Sequence, residues 1–327
     1  MNLNSSRRGM VGAGTAMCLV GSLAAVSATI SDYPVFGGQA VRYAVAALIL
    51  LLVTRLDRTP ARSLVGGRAP TPPGTAHWPR PREWALLAAL AATGLAAFNV
   101  CIVFATRDTS PATIGTVIAT VPIVLALVGP LMERRRPALP VVLSACVVAA
   151  GAGLASGLGG ASPRGLLLSL GALGGEVCFS LLAVPLLPRL GPLRVSAYSA
   201  GLAAPMLLAI GLVRDGGAVL RVPTGPELAG LGYLSVIVTT IAFLLWYDAL
   251  GRLGPDRAGL FAGVIPVSAV IATVALGLDT PGPADLGGAA LVAAGVVVGL
   301  RARAVPCEAA PIEPPGTASI EFARGSA

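Results

Sequence analysis

Lysine is absent from this 327-residue chain, histidine occurs once, at His77, and charged residues of every kind make up only 12%. A water-soluble domain carries about a quarter charged residues, so a soluble globular fold is excluded. A single histidine in a Pro/Arg-rich loop removes Ser/His/Asp triads, HExxH zinc sites and His-paired cysteine chemistry. The five cysteines, Cys18, Cys101, Cys146, Cys178 and Cys307, stand singly, so neither a disulfide framework nor a CxxC metal site is suggested and they read as small buried thiols. No GxxxxGK[ST] loop is present, which excludes ATP hydrolysis by that route. Gly151-Ala152-Gly153 lies within an apolar run with no strand before it, so a dinucleotide-binding loop is excluded too. The expectation is a protein with no cofactor and no metal site.

What is abundant is apolar: 55% of residues are hydrophobic, mean hydropathy is +0.82, and the apolar residues come in stretches of about twenty, the length that crosses a bilayer core. Ten spans can be cut between charged or Pro/Gly-rich breaks, at 10–30, 36–54, 84–106, 110–132, 138–157, 165–188, 195–213, 226–250, 255–276 and 285–302. The fold class is therefore an all-α integral membrane protein. Arg7 and Arg8 followed by the stretch from Met10 to Ile30 have the outline of a secretory signal. With so many spans behind it, the segment reads as an uncleaved first span.

The net charge of +8 rests entirely on arginine, and basic loops stay on the cytoplasmic side of a membrane. With the N-terminus inside, only Arg42, Arg107, Arg164, Arg214 and Arg221 fall outside; the other 18 of 23 fall inside. Both termini are expected in the cytoplasm, with the chain a multi-pass protein of the cytoplasmic membrane. This distribution builds no basic face for nucleic acid.

Sliding the chain over itself by 144 positions aligns Glu83 with Glu227, Pro111 with Pro255, Gly115 with Gly259, Pro122 with Pro266 and Pro137 with Pro281, and Ala149-Ala150-Gly151 with Ala293-Ala294-Gly295. The units are expected at 1–157, with an unstructured cytoplasmic loop at 57–81, and at 158–303, followed by an unstructured tail at 304–327. Each repeat has five spans, an odd number, so the second copy sits inverted in the membrane, the architecture of an alternating-access transporter.

Ser110-Pro111 through Pro122 to Glu133 at the end of the fourth span, with its copy from Tyr247 and Ala249 through Pro266, resembles the ten-span EamA-type branch of the drug/metabolite transporter superfamily. The likeness runs from about Met10 to Arg303. Family members often end the second copy in a Gly-Glu pair, whereas here it reads Gly277-Leu278-Asp279, so no counterpart of Glu133 is assured. The resemblance implies a transporter of small metabolites, commonly an exporter, with a central cavity between two bundles. Its partners are then a small-molecule substrate and the lipid bilayer, with a homo-oligomer left open. Two rival readings remain, a membrane subunit of an assembly powered elsewhere and a lipid-processing membrane enzyme. The second finds neither clustered carboxylates nor a nucleophile with its base in the spans, so no enzymatic activity is expected.

Within the spans Glu176 stands out, because an ionised carboxylate there costs about 3 kcal/mol. Ser169, Glu176 and Ser180 share one helix face, expected to point into the bundle. Glu176 and Ser180 are candidates for binding substrate or a proton; the rival reading is a neutral carboxyl hydrogen-bonded for packing. Tyr233, Thr240 and Tyr247 form a second line at spacings of seven, with Trp246 beside its end, where interfacial anchoring competes with cavity lining. Asn99, Thr116 and Thr120 are the remaining candidates. Pro122 and Pro266 are expected as paired helix bends around the cavity. Glu133, Asp248 and Arg42 read as interfacial groups near span ends.

Reporter fusions placed after Arg68 and after Arg303 should both report a cytoplasmic location. An external signal from either would overturn the span count or the inversion.

Overall fold

The computed structural model describes residues 3–56, 78–156, 162–277 and 282–301. The expected tail at 304–327 and most of the loop at 57–81, His77 included, lie outside these residues, as do Cys307, Leu278 and Asp279. Every regular element described is helical. Ten helical spans follow one another: α1 (Leu3–Thr29), α2 (Val35–Leu56), α3 (Pro81–Asp108), α4 (111–132), α5 (Leu139–Ser156), α6 (Pro163–Leu181), α7 (Leu187–Asp215), α8 (Gly225–Leu253), α9 (255–275) and α10 (Pro283–Arg301). Among the described residues nine segments meet the length and hydropathy of a membrane span, and α5 adds the shorter apolar stretch Leu139–Leu154. The expected sixth span to residue 188 is shorter than foreseen. A turn follows Leu181, and Gly191, at φ 73°, breaks the start of α7 beside Pro192.

The 144-residue repeat is written into the backbone. Both α3 and α8 open on a helix-capping glutamate: Glu83 accepts from the Arg80 amide at 2.7 Å, and Glu227 from the Thr224 amide at 2.8 Å. Each then widens into an eight-residue π-helix, Leu90–Ala97 in one and Leu234–Ile241 in the other, at the same offset. The packing obeys the same relation. Helices α2 and α7, α4 and α9, and α5 and α10 each pair with their own counterpart, while α1 on α8 is matched by α6 on α3. This is a ten-helix membrane fold of two inverted five-helix repeats.

Small residues set the closest of these contacts, because lipid offers no hydrophobic gain for bringing two apolar helices together and close van der Waals packing has to do so. A Cβ on Gly151 in α5 would stand 2.8 Å from the Gly288 carbonyl oxygen of α10, and one on Gly295 would stand 3.1 Å from the Ser144 carbonyl oxygen of α5. These are repeat-related copies of one contact.

Pro122 and Pro266 do not bend continuous helices. Helix α4 is interrupted at residues 119–120 and α9 by a 3-10 turn at Leu260–Gly263, and each proline stands in the first turn of the segment that resumes. An amide there has no partner within the helix, so proline costs no hydrogen bond. The thiols differ from expectation as well: Cys18 and Cys146 are exposed on the helix surface, where bilayer would meet them, and Cys101 and Cys178 are half-buried.

Substituting Gly151→Leu or Gly295→Leu forces α5 and α10 apart and should cost about 1–3 kcal/mol each, read as a lowered thermal-unfolding midpoint in detergent. A wild-type midpoint in both variants would contradict the close approach.

Candidate functional site

Counting ten helices, the loops after α1, α3 and α7 share the face opposite the N-terminus. On that face Asp32 to Phe36, Val103, Arg107, Arg214, Asp215 and Ala218 surround a vestibule of about 330 Å³. The two arginines are braced by rings: Arg214 lies 5.5 Å from the centre of Phe36 and 5.1 Å from that of Phe104, and Arg107 lies 5.6 Å from that of Phe104. Arg221 caps the rim, 5.1 Å from the Tyr33 ring centre and hydrogen-bonded to Glu227, and that bond holds its guanidinium above the ordinary arginine range.

The N-terminal face is tied differently. Arg189 pairs with Glu83 and donates to the Trp78 carbonyl at 3.2 Å, joining α7 to α3. Arg135 bonds Glu133 at 2.8 Å and lies 3.9 Å from Asp256, joining the end of α4 to α9. Arg252 bonds Asp248 at 2.7 Å and Ser5 at 3.1 Å, joining α8 to α1. Glu133 and Asp248 thus serve as ties at the end of the bundle.

Between the two faces lies an aromatic cluster. The Phe179 ring of α6 lies tilted at 4.8 Å from Phe243 and at 5.1 Å from Tyr247 of α8, and Tyr43 of α2 completes the cluster 6.3 Å from Phe243. Asn99 of α3 donates to the Tyr43 hydroxyl at 3.3 Å and to the Leu95 carbonyl of its own helix at 2.7 Å. Ser180 accepts from the Trp246 indole at 3.3 Å, which fixes α6 against α8. Tyr247 is fully buried, and its hydroxyl has no hydrogen-bond partner among the described residues. Ser199 lies within side-chain hydrogen-bonding reach of it in a looser geometry, and the Glu176 carboxyl and Tyr43 lie close enough to act on it electrostatically. Glu176 itself is half-buried, between the enclosed Ser169 and Ser180 on its helix, and makes no hydrogen bond or ion pair with a described residue.

The structure therefore brings Glu176, Ser180, Asn99 and Tyr247 to one region and leaves other candidates apart. Tyr233 pairs with Ser22 of α1 at 2.9 Å. Thr240 returns its hydroxyl to the Ser235 carbonyl at 2.9 Å, and Thr120 to the Val117 carbonyl at 2.7 Å. Thr116 stands beside Gly153 of α5. The line Tyr233, Thr240 and Tyr247 rests on an α-helical period, and the π-helix between its ends turns the chain by a different amount per residue. Its two tyrosines consequently meet different neighbours. Trp246 and Tyr247 are interior, at 2% and 0% exposure, and not interfacial anchors.

Sequence reasoning left out Tyr43, Phe179 and Phe243 and did not place Arg42 among the candidate binding residues. Arg42, read above as an interfacial group, is buried at 5% exposure within the protein. The signal was present, since an arginine in the apolar run 36–54 is as exceptional as the glutamate at 176.

Known proteins resemble this chain over most of its length. A curated transporter of Bacillus subtilis, named YetK and described as uncharacterized, is 25% identical over 268 residues, covering 78% of this chain and 76% of its own. A protein of Streptantibioticus cattleyicolor named "Probable terminal-alkyne amino-acid exporter" is 28% identical over 228 residues, covering 67% of this chain and 74% of its own. A solved crystal structure superposes with a TM-score of 0.70 at 19% identity, over 91% of this chain and 96% of that one, which shows a shared fold. The model of the EamA-like transporter family matches residues 8–157 and 165–301, one match to each repeat. The chain is a membrane transporter protein and belongs to the EamA-like transporter family.

Proposed function

We propose that this protein is a secondary active transporter, not an enzyme, that exports a small amine-bearing metabolite of the amino-acid class across the cytoplasmic membrane. Both termini are cytoplasmic in this reading, and transport runs by alternating access between two inverted repeats. The observation that carries it is the half-buried Glu176 carboxyl, unpartnered among the described residues and close to the buried Tyr247 hydroxyl in the middle of the bundle. A carboxyl that the fold leaves unneutralised is suited to exchange a proton for a substrate ammonium group. The ammonium ion would gain an opposite charge in a medium of low dielectric, where such an attraction is strong. Protonation of Glu176 would cancel that attraction and release the substrate, coupling its movement to a proton moving the other way.

The contrast between the two faces supports the same reading. Ion pairs link α3 with α7 and α4 with α9 on the N-terminal face, and the Arg252–Ser5 hydrogen bond links α8 with α1 there, while a vestibule is open on the opposite face. With the N-terminus in the cytoplasm this is an outward-facing arrangement. The inverted repeat supplies the complementary state by exchanging the roles of the two halves. The name of the Streptantibioticus relative supports an amino-acid-type substrate.

Proteoliposomes containing the protein and no ATP should move neutral amino acids against their gradient when a pH gradient is imposed. Glu176→Gln keeps the volume and hydrogen-bonding capacity but cannot titrate. Its pH-driven transport should fall to the rate of protein-free vesicles, while the protein is recovered from membranes at the wild-type level. Unchanged pH dependence in that variant would make Glu176 a packing residue.

A further inference from the structure

Arg42 is not used by the proton–substrate exchange just described. Its guanidinium has five N–H donors. The Nε–H donates to the Thr239 hydroxyl, and Nη1 donates to Gln39 Oε1 at 3.2 Å. The Thr239 hydroxyl has its own hydrogen committed to the Leu234 carbonyl at 2.8 Å, a bond that reaches back five residues because this part of α8 is π-helical. It can therefore only accept from Arg42. The guanidinium is held by these two acceptors and lies 5.2 Å from the Tyr43 ring centre. No carboxylate among the described residues lies within ion-pair distance of it, although six other arginines are so paired. Nη2 makes no hydrogen bond with a described residue, and it is not among the buried polar atoms without a partner.

Beside this open edge is a cavity of about 70 Å³, lined by Ser27, Ser31, Gln39 and Arg42 on its polar side and by Ile30 and Leu231 among its apolar residues. Tyr33, Pro34 and Val35 line both this cavity and the 330 Å³ vestibule, so the two adjoin across this segment. A guanidinium fork presents parallel donors that match the two oxygens of a carboxylate. We propose that Arg42, held by Gln39 and Thr239, is a binding site for the carboxylate of a small organic acid or amino acid that enters through the vestibule. The pocket accepts the carboxylate and a short apolar segment, and the rest of the molecule extends into the vestibule. The proposal deepens the amino-acid reading above and rests on it for the substrate class. The site is distinct from Glu176, so a substrate carrying both charges would meet the arginine on its way between the centre and the open face.

The test is a binding measurement that needs no transport. The full chain, purified in detergent without anionic lipid, is titrated with sodium isovalerate and with its uncharged counterpart isovaleramide while the thermal-unfolding midpoint is followed. Isovalerate should raise the midpoint saturably and isovaleramide should not. Gln39→Glu places a carboxylate next to Arg42 as a built-in counter-ion. It should fold at least as well as wild type and weaken isovalerate by about tenfold or more, the loss of one charge-assisted hydrogen bond. Arg42→Gln should do the same, and if it fails to fold Gln39→Glu decides. Equal responses to acid and amide, or an unaltered isovalerate response in Gln39→Glu, overturn the site. Added phosphatidylglycerol that raises the midpoint through Arg42 and is not displaced by isovalerate would assign the guanidinium to a lipid phosphate and also overturn it. Any of these failures leaves pH-driven transport through Glu176 standing, whereas failed transport with intact isovalerate binding removes the coupling and keeps the site.

Discussion

In a medium without water, each backbone N–H and C=O has to be satisfied by the protein itself, and the structure depends on that constraint. It makes every described span helical, and it governs how the spans depart from regularity. The interruptions of α4 and α9 fall next to prolines, where an amide partner is missing anyway. The π-helical stretches of α3 and α8 keep their amides bonded while altering the direction of the side chains that follow. In α8 the hydroxyls of Thr239 and Thr240 take up carbonyls five residues back, and this leaves the Thr239 oxygen as an acceptor for Arg42. A local backbone irregularity thus determines where a buried cation is held.

The same constraint separates packing from chemistry. Where α5 and α10 meet at Gly151 and Gly295, the approach is made by the glycines against the Gly288 and Ser144 carbonyl oxygens and apolar side chains, with no charged group. Charges at the two ends are neutralised in pairs such as Arg189 with Glu83 and Arg221 with Glu227. Those two pairs share an origin in the repeat, since Glu83 and Glu227 are equivalent and each caps the helix it begins. Between the ends, Glu176 and Arg42 lack an ionic partner among the described residues. Leaving an ionisable group uncompensated in such a setting costs free energy that packing alone would avoid, which is why both are read as ligand-directed.

A fold shared at 19% identity with a solved structure follows from this division. Apolar length, the placement of small residues and the five-span repeat are enough to specify the helix arrangement, and many sequences meet those conditions. The polar groups in the middle are free to differ between relatives without disturbing the frame around them.

The sequence alone determined the membrane class, the ten spans and the offset of 144, because apolar run length and a gapless repeat are properties of the chain that do not require knowing which helix touches which. It also exposed Glu176, whose type and position are exceptional in an apolar span. Only the tertiary structure decided which polar residues meet. The π-helices broke the regular period that had placed Tyr233 on a line with Tyr247, the interior position of Trp246 followed from its bond to Ser180, and Tyr43, Phe179 and Phe243 became neighbours through three helices distant in sequence. Arg42 shows the difference most directly. Its charge is visible in the sequence, but its burial and its missing counter-ion depend on what α8 places opposite it, and that contact forms only when helices 197 residues apart are packed together.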